Sequence, residues 1–130
     1  MIQMFSFCMN KSFFASFLLF IGCFLCLLPL DSFAIGTAYS YTVETVRVDK
    51  SGRGYVKFKE PLSGEPATCI NGNHDNHLAF DTNTAGGKSI LSIVLSAHAT
   101  GSKIHASGTG TCDVYGVVES WSTGWILPRP

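Results

Sequence analysis

The chain has 130 residues, nine basic and nine acidic, and so carries no formal net charge at pH 7. That length suits one domain, and the neutral balance removes the simplest case for a nucleic-acid or anionic-membrane binder, which shows a basic excess. Five cysteines are an odd number and cannot all close into internal disulfides.

The composition is uneven along the chain. Residues 1–34 hold 24 of the 60 hydrophobic residues and 8 of the 10 phenylalanines. A single basic residue, Lys11, precedes an apolar run from Phe13 to Leu30, and Asp31-Ser32-Phe33-Ala34 closes the stretch. A basic flank, an apolar run and small residues at Ser32 and Ala34 predict a secretory signal peptide, cut after Ala34. Met9 is a credible start, because Met9-Asn10-Lys11 makes an ordinary leading region. The run is just long enough to span a bilayer if left uncut, but Pro29 and the Ser-Phe-Ala ending favour removal. Phe20-Ile21-Gly22-Cys23 faintly resembles a lipoprotein site, yet the apolar run continues beyond it to Leu30. The expected product is a single domain, 35–130, in the periplasm or outside the cell. It keeps eight basic and eight acidic residues and only two cysteines, Cys69 and Cys112. Export permits oxidation, so these two are expected to pair. Such a cross-link contributes at most about 4 kcal/mol on the chain-entropy model.

Along the mature segment, Tyr41 to Val48 is rich in Val, Thr and Tyr and predicts a strand. Its alternation slips between Val43 and Val46, which a β-bulge near Glu44-Thr45 reconciles. A turn at Asp49–Gly54 leads to Tyr55-Val56-Lys57-Phe58-Lys59, whose alternation puts Val56 and Phe58 inward and Tyr55, Lys57 and Lys59 outward. Pro61, Gly64 and Pro66 mark a loop. Short strands are expected near Thr68–Ile70 and Leu78–Asp81. Gly87 to Thr100 predicts a largely buried helix, with Ile90, Ile93, Val94 and Ala97 on one face and Gly101 as its stop. Lys103–Ala106 and Val114–Trp121 supply further strands, with Trp125–Leu127 as an extension.

The order of three strands, a helix and two strands, with a bent first strand, is that of an OB-like five-stranded Greek-key barrel stapled by one disulfide. A β-sandwich or an α+β roll fits the same string.

Two motifs bear on chemistry. Thr82-Asn83-Thr84-Ala85-Gly86-Gly87-Lys88-Ser89 resembles a phosphate-binding loop, but threonine stands where the first glycine belongs. The parallel α/β sheet which that loop requires also has no room here. His74-Asp75-Asn76-His77 offers two imidazoles and a carboxylate. A metal site needs three or four converging ligands, and His98 and His105 lie on other elements, so a polar loop is expected and no metal or cofactor. Asp75, Asp81, Asp113 and Glu119 have no spacing that singles out a catalytic pair, and no nucleophile motif is present; the expectation is a non-enzymatic protein.

Charge and aromatic placement point to binding. Arg47, Lys50, Arg53, Lys57 and Lys59 crowd one hairpin, with Arg47, Lys57, Lys59 and Tyr55 on its outward face. Such a face suits an anionic sugar, a phosphate or an acidic protein surface; solvated lysines that blunt strand pairing suit it equally. Trp121 and Trp125 flank Ser-Thr-Gly, and one of them is expected to serve contact, since aromatic rings stack on sugar faces and anchor interfaces.

The run Gly87-Lys88-Ser89-Ile90-Leu91-Ser92, with Ala97, Ala99, Gly101, Ile104 and Gly110-Thr111-Cys112, is similar to a group of short exported bacterial proteins that mostly lack assigned functions. The signal peptide, single disulfide and element order also resemble the pentameric B subunits of bacterial AB-type toxins, which are OB barrels that bind cell-surface glycans. That likeness lies in layout, and no glycan-contact residue is carried over from it. It implies a glycan ligand and a homo-oligomer; export argues against nucleic acid, and no membrane attachment is expected once the signal is removed. The second expectation is a periplasmic inhibitor or immunity-type protein that captures an acidic partner through the basic hairpin.

Overall fold

A computed structural model describes residues 34–129; the expected signal segment, apart from Ala34, lies outside the described residues. Among these residues seven strands and one helix follow in chain order: β1 Gly36–Tyr41, β2 Val43–Val48, β3 Arg53–Phe58, β4 Ser63–Gly64, β5 His77–Asp81, α1 Ala85–Thr100, β6 Ile104–Gly108 and β7 Trp121–Ile126. They form a four-stranded sheet in the order β4-β1-β6-β7 and a three-stranded sheet in the order β2-β3-β5, with every ladder in both antiparallel. Among the described residues no helix is long and apolar enough to cross a membrane.

The first strand is longer than its composition suggested. It starts at Gly36 and is broken only at Thr42, so one extended stretch serves β1 in one sheet and β2 in the other. Bulges let it bend. The β1–β6 register slips between Ala38 and Tyr41, where Ser40 takes φ 61. The β2–β3 register slips between Val43 and Thr45, at the site where the broken alternation called for a bulge. An extra residue in one strand bends it and increases local twist. The sheets also meet at a single parallel bridge, Ala79 to Ser120, where the Ala79 N–H donates to the Glu119 carbonyl at 2.8 Å.

The core lies between the sheets. Val56 and Phe58 from β3, Leu78 and Phe80 from β5, and Ile104 and Ala106 from β6 are all buried, which is the inward face that alternation assigned to β3. The helix covers this core, packing on β2, β5 and β7. It starts at Thr84, whose hydroxyl accepts the Gly87 N–H at 2.9 Å, a capping arrangement. Gly87 is required at that entry, because a Cβ there would stand 1.8 Å from the Asp81 carbonyl oxygen. Gly87 of the phosphate-loop-like run thus seats the helix against a strand end. Gly101, at φ 67, stops the helix.

Three expectations are corrected. The helix is only partly buried: Gly87, Val94 and Ala97 are buried, while Leu95 is 47% exposed, because short sheets cover one stripe of it. Thr68–Ile70 is a turn, closed by the Ile70 N–H donating to the Ala67 carbonyl. Val114–Trp121 is mostly turns, and the last strand runs from Trp121 to Ile126.

Cys69 and Cys112 form the expected disulfide, bridging 43 residues. It joins the loop after β4 to the loop after β6.

Candidate functional site

All five charged residues that lie on the described strands, Glu44, Arg47, Arg53, Lys57 and Asp81, belong to the three-stranded sheet. Arg47 on β2 pairs in register with Tyr55 on β3, and Lys57 pairs with His77 on β5. Paired residues in antiparallel strands share a face, so the outward set expected for the hairpin is met there by His77. Tyr55 is the hub: its ring lies edge-on to His77 at 5.0 Å, to Tyr115 at 5.4 Å and to His74 at 6.3 Å. The Arg47 guanidinium stands 5.5 Å from the Tyr55 ring centre and donates to its hydroxyl at 3.2 Å.

The cations on this face bring their own counterions. Arg47 Nε is 2.9 Å from Asp49, and Lys57 Nζ is 2.8 Å from Glu44. The Lys57 hydrogen bond and charge hold the Glu44 carboxyl below its usual range. The hydroxyl of Tyr115, which donates to Asp49, and then Arg47 do the same for Asp49. In return the Tyr115 hydroxyl is pushed up, chiefly by that bond, and Arg47 is held more firmly protonated by Tyr55 and then Asp49. Glu44 lies outside the turn whose charges make the hairpin look basic, yet it neutralises Lys57. Lys59 is exposed at the strand end, and none of the ion pairs among the described residues involves it.

His77 is 6% exposed, and its Nδ1 has no hydrogen-bond partner among the described residues. Burial first, then His74 and Lys57, pushes it down to about 4. The His74 and His77 rings are 5.0 Å apart. The other two histidines do not join them: His98 Nδ1 lies 3.3 Å from the Val43 carbonyl oxygen, and His105 belongs to the opposite sheet. Among the described residues there is no group of three or more His, Cys, Asp or Glu able to hold a metal ion.

The outer face of the four-stranded sheet is different. None of its strands contains Asp, Glu, Lys or Arg. Trp121 and Trp125, four residues apart on one strand, would share a face if β7 were regular. The β6–β7 register slips between Ser107 and Gly108, so that Thr123 faces Ser107 but Trp121 faces Gly108. The extra residue, Ser122, reverses the parity. Trp121 therefore turns inward, 7% exposed, with its ring 6.4 Å from Phe58. Trp125 turns outward and is 50% exposed. Trp121 thus belongs to the core and leaves the set of candidate contact residues.

Trp125 does not stand alone. His105 stacks on it at 4.3 Å with the rings inclined by 25°, and Tyr39, itself 70% exposed, meets His105 edge-on at 5.0 Å. Tyr39, His105 and Trp125 make an aromatic row across β1, β6 and β7. At a strand spacing of about 4.8 Å the row is about 10 Å long. Beside it runs a second row: Ser63 is paired with Thr37, Thr37 with Ser107, and Ser107 with Thr123. These four hydroxyl residues cross all four strands on the same face.

Between the faces sits Glu119, fully buried. Its carboxylate accepts the Gly36 N–H on both oxygens at 3.0 and 3.2 Å, the Ala67 N–H at 2.9 Å and the Gly110 N–H at 3.0 Å. Gly108 is obligatory beside it, because a Cβ there would lie 2.0 Å from its Oε1. Ala67 and Gly110 are each two residues from a disulfide cysteine, so the carboxylate and the cross-link fasten the same two loops.

Tyr39, His105 and Glu119 were not singled out from the sequence. The signal for the first two was the absence of charge in Thr37–Tyr41 and Ile104–Gly108; for Glu119 it was a lone carboxylate between Val117-Val118 and Trp121. Comparison with family models, with curated proteins and with solved structures finds no match for this chain.

Proposed function

We propose that the chain is an exported, non-enzymatic binding module that recognises a glycan through the outer face of the four-stranded sheet. The observation that carries this reading is the exposed row Tyr39–His105–Trp125 lying beside the hydroxyl row Ser63–Thr37–Ser107–Thr123. A sugar ring has an apolar face that stacks on an aromatic side chain and a rim of hydroxyls that exchange hydrogen bonds with neighbouring donors and acceptors. The two rows offer those partners side by side. The absence of charged residues from these strands favours a neutral sugar over an anionic one.

The fold reading that accompanies it is OB-like. It is supported by the bent β1–β2 stretch, the helix between β5 and β6, and the parallel bridge from Ala79 to Ser120 that links the two sheets. In that layout the domain would act as a toxin-type B subunit, repeated in a ring that multiplies weak single-site contacts. The alternative, capture of an acidic protein by Arg47, Tyr55, Lys57 and Lys59, has less support, because Arg47 and Lys57 already hold Asp49 and Glu44.

The test is a panel of immobilised glycans probed with the exported protein and with its Trp125→Ala variant. Retention of a neutral glycan by the parent, weakened roughly 10- to 100-fold in the variant, is the expected result. A parent that retains no glycan, or a variant that binds equally well, would overturn it.

A further inference from the structure

The proposed binding face makes no use of Glu119, the one carboxylate among the described residues that the fold buries completely. None of the ion pairs among the described residues involves Glu119, and its partners are the backbone amides of Gly36, Ala67 and Gly110. Taking an ionised carboxylate out of water is costly unless hydrogen bonds and an opposite charge compensate it. The amides provide the bonds, and the chain itself holds the source of the charge.

Gly36, which donates to both carboxylate oxygens, is the second residue after the expected cut between Ala34 and Ile35. The other side of that bond lies against the same cage: a Cβ on Gly110 would be 2.3 Å from the Ala34 carbonyl oxygen, and the Gly110 N–H is itself a donor to Glu119. Hydrolysis by a signal peptidase breaks the Ala34 carbon to Ile35 nitrogen bond and consumes one water. The hydroxyl goes to Ala34, which leaves as a carboxylate, and the nitrogen of Ile35 is protonated to an α-ammonium at neutral pH. Successive backbone units are about 3.8 Å apart. Added to the 3.0 Å Gly36 bond, this puts the new ammonium within roughly 7 Å of the buried carboxylate.

We propose that cleavage after Ala34 completes the Glu119 site: the Ile35 ammonium pairs with the Glu119 carboxylate and fastens β1 into its sheet. This rests on the exported reading and not on glycan binding. The domain then reaches full stability only after processing, which suits a chain that must cross a membrane before it folds. The uncut chain presents only a neutral amide at Ile35 and lacks the pairing.

The full chain is expressed for export, and the start of the mature protein is read by mass spectrometry and terminal sequencing; Ile35 is the expected first residue. The α-amine is then acetylated selectively at about pH 6.5, where lysines with an ordinary pKa near 10.4 stay protonated. Thermal unfolding is compared before and after, and a fall of roughly 4–8 °C is expected. In Glu119→Gln the same acetylation leaves the midpoint unchanged. Should that variant fail to fold, the parent's α-amine reactivity decides: native protein should acetylate at least about tenfold more slowly than urea-unfolded protein, the equivalent of one pKa unit. A first residue other than Ile35, an unchanged midpoint in the parent, or equal acetylation rates would each overturn the proposal. Glycan retention is read separately, so failure of the Ile35–Glu119 pairing and failure of glycan binding are told apart.

Discussion

The outer face of the three-stranded sheet carries cations whose counterions lie within 3 Å, Asp49 beside Arg47 and Glu44 beside Lys57, and its aromatic hub Tyr55 is walled in by Tyr115, His74 and His77. The outer face of the four-stranded sheet has no charge on any strand, and its aromatic row is half open to solvent. A ligand approaching the first face must displace the counterions that already hold Arg47 and Lys57. One approaching the second displaces only water from apolar rings, which is favourable in proportion to the area covered. Charge density therefore marks the face whose cations are already paired, and unsatisfied surface marks the face proposed for binding.

The sharpest way to break this contrast is to treat the two tryptophans alike. Trp121→Ala empties a core position and should cost about 3–5 kcal/mol of stability, while Trp125→Ala should cost under about 1 kcal/mol; thermal unfolding of both variants checks it. Equal losses would mean that the Ser122 bulge does not part the two rings. Next in size is an acid effect confined to the charged face. The His77 imidazole lies at about 4 in the fold against about 6.5 when unfolded. The unfolded chain therefore takes up this proton first, so stability is fully present above about pH 6.5 and is lost as pH falls toward 4, by roughly 2–3 kcal/mol. Unfolding midpoints between these pH values should drop in the parent and hold more nearly level in His77→Phe.

On the aromatic face, Tyr39→Ala should weaken glycan retention by roughly tenfold, with the unfolding midpoint little changed. The smallest effect is expected from reversing charge across the hairpin. Lys57→Glu together with Arg47→Glu should leave glycan retention as in the parent, because neither side chain touches the aromatic row. A marked loss in that double variant would shift the site to the charged face and favour the acidic-partner reading.

Much of this architecture was legible from residue order. The broken alternation of Val43 and Val46 located a bulge, Val56 and Phe58 declared their inward face, and Gly101 ended the helix where a left-handed residue was needed. The pairing of Cys69 with Cys112 followed from their being the only two cysteines after the expected signal segment. The proposed binding face was not legible, for a physical reason. Its members come from three strands distant in sequence, and two bulges, at Tyr39-Ser40 and at Ser122, set which way their side chains point. Parity alone puts Trp121 and Trp125 on one face; only the register of β6 against β7 separates them. Glu119 was equally hidden, because its partners are backbone amides that leave no trace in composition. The hairpin misled in the opposite sense: its cations were visible, but the strand residue Glu44 that offsets Lys57 was not counted with them.

The most direct measurement is backbone amide shift mapping of the labelled protein with the neutral glycan it retains best. If the aromatic row is the site, shifts will concentrate at Thr37, Tyr39, His105, Ser107, Thr123 and Trp125, leaving Tyr55, Lys57 and His77 still. Shifts centred on Arg47, Tyr55 and Lys57, with the aromatic row unmoved, would contradict it.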